Sequence, residues 1–192
     1  MKPSHTSPIG INDIVEMFPE VAMVTDPNLR EKCIAVLVEA YSVGGWNKVS
    51  AEYCPVSLRI GSEKLKSQIK HVKAVTKIAL AIYDTLEDAY EIDLKLRDYV
   101  LVGALLHDAG KMLEFTLEHG APKQSNGADL IRHPLSGAIL AAKHQLPNEI
   151  IHLIANHSYE GEKSKTTLIS TIVNHADSAA FSFIVKVDEQ QK

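Results

Sequence analysis

The stretch that decides the reading is Leu105-Leu106-His107-Asp108-Ala109-Gly110-Lys111, an apolar run that ends in an adjacent imidazole and carboxylate and is stopped by glycine. A neutral nitrogen ligand and an anionic oxygen ligand on consecutive residues suit divalent metals such as Mn²⁺, Fe²⁺ or Zn²⁺. Two residues are too few to hold an ion, so further His and Asp are expected elsewhere, spaced so that separate helices aim them inward.

The 192 residues, 45% apolar and 23% charged, suit one globular domain with a real core. A formal charge of -4 argues against a duplex nucleic-acid binder, which needs a basic face. Cys33 and Cys54 lack a Cys-x-x-Cys spacing and read as packing residues of a reducing compartment. The N-terminus lacks the apolar core of a signal peptide, and no run of about 18 apolar residues occurs. A cytoplasmic protein with no membrane contact is expected.

Residues 1–10, with two prolines, read as a flexible leader. Apolar residues at three- and four-residue spacing then predict two short helices, the second opened by Asp26-Pro27 and closed by Gly44-Gly45. The stretch Trp46 to Ile60 reads as an extended connection that covers part of a site. Together 11–61 form an N-terminal helical extension. A long helix is expected from Ser62 to Tyr90 with His71 beside its apolar face, and another from Leu94 to Asp108, the central one. Next comes a loop of roughly 15 residues, long enough for a lid or specificity loop. Three further helices follow: Arg132-His133-Pro134 to Gln145, Pro147 to His157, and a last long one carrying Asp177. The main domain is read as 62–185 and the tail as 186–192. No strand pattern survives beyond short pieces in loops, so the fold class is all-α.

The candidate ligands are His71, the pair His107 and Asp108, His133, His157 and Asp177, each from a different helix or helix start. Six ligands suit two metals. With Asp108 bridging, two ions would lie about 3.5–4 Å apart with open positions for water, the anion between them screening their repulsion. An unpaired Asp177 in an apolar helical run would be costly to bury, which a metal partner explains. The rival readings are an N-cap role for His133 and a helix-end role for His157. His175 points to another side of its helix, and His5, His119, His144 and His152 read as surface or packing residues. Trp46 is a core plug or a stacking platform for a base; Arg132 and Lys123 are exposed charges or part of a phosphate-facing patch.

The motifs "KHVKAV", "LLHDAGK", "RHPLSGAIL", "ANHSYEG" and "NHADSAAF", in that order, resemble the HD-domain superfamily of metal-dependent phosphohydrolases over roughly Lys66 to Phe183. The resemblance implies a helical HD bundle, a first metal site of His71, His107, Asp108 and Asp177, and a second of Asp108, His133 and His157. It implies two divalent ions, Mn or Fe first, with Zn, Ni, Co or Mg as alternatives. Catalysis falls to Asp108 and Lys111: a hydroxide between the ions attacks phosphorus, and Lys111 stands near the substrate phosphate. The Gly-Tyr-Pro signature of the cyclic-dinucleotide branch is lacking after His157, which reads Ser-Tyr-Glu-Gly-Glu. The implied substrate is a small phosphorylated or nucleotide compound, and a homodimer is left open. Two alternatives share the ligand set: a mixed-valent di-iron oxygenase and a non-catalytic nucleotide-binding sensor.

Overall fold

The structure, a computed structural model, describes residues 8–191; most of the expected leader, His5 included, lies outside them. Ile9 is buried in the core and Gly10 caps the first helix, its N–H donating to Asp13 Oδ2 at 2.9 Å. The helices are α1 (Ile11–Met17), α2 (Pro27–Val43), α3 (Gln68–Tyr90), α4 (Arg97–Leu106), α5 (Lys111–Glu114), α6 (His133–Lys143), α7 (Asn148–Asn156) and α8 (Leu168–Gln190). A two-stranded hairpin, β1 (Phe115–Glu118) and β2 (Ala121–Gln124), stands between α5 and α6.

α4 is the axis. Val100 to Leu106 are buried without interruption, and α2, α3, α7 and α8 pack around them. A helix apolar on every side must be enclosed on every side. Gly103, where a Cβ would stand 2.9 Å from Leu153 Cδ1, lets α7 approach closely. The extension is no appendage: Ile14, Phe18, Leu29, Cys33 and Val36 join one continuous core with Val75, Leu101, Ile150 and Val173. α8 runs to Gln190, through most of the stretch read as a tail. By length and composition it is also the one helix among the described residues long and apolar enough to cross a membrane; its apolar side is packed on α3, α4 and α7.

Several boundaries differ from the periodicity reading. α3 begins at Gln68, not Ser62, because Ser67 is held extended by a bridge to Pro55, with Val56 N–H donating to Lys66 O at 2.7 Å and Gln68 N–H to Cys54 O at 2.9 Å. α4 begins at Arg97 because Lys95 takes a left-handed φ of 54°. The expected loop after Lys111 folds into α5 and the hairpin. His119 and Gly120, at φ 53° and 84°, make the tight turn that right-twisted strands require. Four-residue strands are too short to show alternation against the background. Trp46 is a core plug, its Nε1–H donating to Met112 O at 2.7 Å.

Candidate metal centre

Five separate elements converge on the loop that follows α4. His107 and Asp108 leave the end of α4, and Gly110 then presses against the start of α6. A Cβ on Gly110 would lie 2.1 Å from His133 O and 2.7 Å from Gly137 N, so only glycine lets the two backbones meet. That contact sets His133, the first residue of α6, beside Asp108. His71 comes from the first turns of α3, His157 from the residue after α7, and Asp177 from α8.

Asp108 lies at the middle, 3% exposed. Its Oδ1 is 3.2 Å from His157 Nε2 and 3.4 Å from His133 Nε2; its Oδ2 is 3.4 Å from His107 Nε2 and 3.6 Å from His71 Nε2. Asp177 Oδ1 lies 2.9 Å from His71 Nε2 and 3.8 Å from His107 Nε2. Donor atoms of His71, His107 and Asp108 fall within 4.8 Å of one another, as do those of Asp108, His133 and His157, and each group could hold a metal ion.

Tautomers follow from what the far side of each ring touches. A carbonyl oxygen only accepts, so His107 Nδ1–H donates to Ala104 O at 2.7 Å and His157 Nδ1–H to Ile154 O at 2.8 Å. His133 directs Nδ1 to the Glu114 carboxylate, which also accepts its main-chain N–H at 2.9 Å. With Nδ1 protonated, each of these rings turns Nε2 toward a carboxylate, and its neutral form presents a lone pair there. His107 Nε2 is buried with no hydrogen-bond partner among the described residues. Imidazole Nε2 lone pairs crowded against carboxylate oxygens repel unless a cation stands between them, so the donor set fits divalent metal.

The electrostatics agree. Burial lowers the pKa of His107, but the Asp108 and Asp177 charges outweigh it and push it up to about 9. The cluster therefore recruits positive charge, whether a proton or a cation. Burial opposes ionisation of Asp108, yet Lys111 and the imidazoles hold it well below the carboxylate range. His133 is held down, chiefly by burial.

Two contacts to this cluster escape a motif reading. Gln68, 1% exposed, donates Nε2–H to Asp108 Oδ2 at 2.9 Å; its place three residues before His71 on one helical face was the available signal. Glu114, buried behind His133, had no comparable signal. Lys111 is also buried, its Nζ donating to Val56 O at 2.6 Å and standing 3.3 Å from Asp108 Oδ2. Of the flanking cations, Arg132 stacks over Tyr159 at 4.5 Å and pairs with Glu160, whereas Lys123 pairs with Glu118 across the hairpin. His175 is exposed; His144 pairs with Glu39 and His152 with Lys165 O.

A cavity of about 520 Å³ opens onto the cluster, walled by Val56 to Arg59, Phe115, Arg132, Tyr159 and Phe181. That volume suits a small molecule.

The family model described as HD domain matches residues 69–181, more than half of the chain. This chain belongs to the HD-domain family. The region covers α3 to α8 as far as Phe181, and hence all six converging His and Asp residues. Among curated proteins the chain is similar to dihydroneopterin 2′,3′-cyclic phosphate phosphodiesterase of Methanocaldococcus jannaschii, at 28% identity over 160 residues. The match covers 81% of this HD-domain chain and 64% of that protein. No solved structure matches the chain.

Proposed function

We propose that this chain is a metal-dependent phosphohydrolase that opens a small phosphodiester, with cyclic phosphodiesters as its substrate class. The observation that carries the reading is Asp108, each of whose carboxylate oxygens faces two imidazole nitrogens at the bottom of a small-molecule cavity. His71, His107, Asp108 and Asp177 would hold one divalent ion, and Asp108, His133 and His157 the other. Mn or Fe suits a set so rich in imidazole and carboxylate. Such a pair supplies Lewis acidity toward the phosphoryl oxygens and activates water for attack. That the similar archaeal protein is a cyclic phosphate phosphodiesterase supports hydrolysis over dioxygen chemistry.

The chain's own groups do the rest. An ammonium carries three N–H donors. Lys111 directs one at Val56 O and stands beside Asp108 Oδ2, leaving one for a phosphoryl oxygen in the cavity. Glu114 holds His133 in the tautomer that presents Nε2. The walls of Phe115, Tyr159 and Phe181 offer apolar surface to the organic part of a substrate.

The test is turnover after separate reconstitution with Mn²⁺, Fe²⁺ and Zn²⁺, on phosphomonoesters, linear diesters and 2′,3′-cyclic phosphates of nucleosides and dihydroneopterin, with Asp108→Ala as the blank. Metal-dependent ring opening that proceeds equally without oxygen is expected. No release from a fully metal-loaded chain would overturn the reading.

A further inference from the structure

Between α2 and α3 the chain crosses the mouth of the cavity as a strap, residues 54–66, that carries Ser57, Leu58 and Arg59 on the cavity wall. Its far end is fixed on α8, where the buried Asp188 carboxylate accepts Gly61 N–H at 3.1 Å and Ser62 N–H at 2.8 Å. Its apolar underside, Val56 and Ile60, packs on Ile184 and Phe181, and Phe181 stands edge-on to the His71 ring at 6.5 Å.

Its near end is tied to the centre twice through one atom. Gln68 gives its main-chain N–H to Cys54 O at 2.9 Å and its side-chain N–H to Asp108 Oδ2 at 2.9 Å. Lys111 gives Nζ–H to Val56 O at 2.6 Å while standing 3.3 Å from the same Oδ2. Two residues therefore each grip the strap's backbone and the same carboxylate oxygen. Gln68 does so without adding charge beside a cation site.

We propose that Gln68 is the positioning residue of this centre: its amide orients Asp108 so that each carboxylate oxygen serves one ligand group, and through it metal loading and docking of the strap favour one another. The proposal rests on the metal-centre reading above. If an ion settles the orientation of Asp108, it also settles the Gln68 side chain and the backbone hinged on it. Linkage then requires a docked strap to strengthen ion binding by the same factor.

The experiment compares the full chain with Gln68→Met and, as a second shape lacking the donor, Gln68→Leu. Mn²⁺ affinity is read by calorimetry and deuterium uptake over 54–66 by mass, with metal-free melting as the control for folding. In the wild-type chain Mn²⁺ should slow uptake over 54–66. Both variants should melt near the wild type without metal, bind Mn²⁺ roughly 10–100-fold more weakly, and lose at least half of that slowing at saturating Mn²⁺. A folded variant that keeps wild-type affinity, or keeps the slowing in full, would overturn the role of Gln68 alone. A wild-type chain that binds no Mn²⁺, Fe²⁺ or Zn²⁺ would overturn the metal-centre reading and this proposal with it.

Discussion

Glu114 accepts both the main-chain N–H and the Nδ1–H of His133, nineteen residues further along the chain. Burial disfavours the charge on Glu114, but the His133 bonds and Arg132 hold its pKa below the usual value. An ionised carboxylate behind the ring makes Nε2 a stronger donor to a metal. Glu114→Ala should weaken Mn²⁺ binding roughly 10–100-fold while the chain still folds, measured by calorimetric titration alongside circular dichroism. Unchanged affinity would reduce Glu114 to a helix-start contact.

Asp108→Ala and Lys111→Ala should separate binding from chemistry. Removing Asp108 takes away the group common to both ligand sets, and metal retention and turnover should vanish together. Lys111→Ala leaves all six His and Asp residues in place. It should retain metal, by elemental analysis, and lose turnover; undiminished turnover would remove Lys111 from the phosphate site.

Gly110→Ala forces a Cβ against the His133 carbonyl and the Gly137 nitrogen, both of them backbone that cannot swing aside. We expect a loss of about 1–3 kcal/mol in urea unfolding. Because the displaced segment begins at His133, metal affinity should drop in the same variant. A stable Gly110→Ala chain with full affinity would mean that α6 can retreat without disturbing the centre.

Asp98, at the start of α4, offers a test of acid sensitivity away from the site. Burial raises its pKa, but N–H donors from Asp26 and Thr25, the Thr25 hydroxyl and the Arg97 charge outweigh burial and lower it from the ordinary 3.8. A lowered folded value means that its stabilisation is present in full above the ordinary value and is lost as the pH falls through the folded one. Asp98→Ala should cost about 1–3 kcal/mol at neutral pH. The gap from wild type should begin to narrow as unfolding is repeated below pH 3.8; a gap independent of pH would assign the loss to packing instead.

Much of the helical layout was legible because its causes are local. The three- and four-residue spacing of α2, α3 and α8, the Asp26-Pro27 start of α2 and the Gly44-Gly45 stop each involve residues within a turn or two of one another. What failed to read was also physical. Ser62-Glu63 resembles a helix start, yet the bridge between Ser67 and Pro55 holds the chain extended for several more residues. The hairpin after Glu114 is too short for its alternation to stand out.

The sequence by itself determined an all-α HD domain and singled out six His and Asp residues as candidate ligands, since residue type and order along the chain carry that information. Only the tertiary structure decided how they meet: that Asp108 faces all four imidazoles, that Glu114 stands behind His133, and that Gln68 and Lys111 tie the 54–66 strap to one carboxylate oxygen. Gln68 and Asp108 are 40 residues apart, and Lys111 and Val56 are 55. Contacts over such separations depend on how helices pack across the core, and no local pattern of residues encodes them.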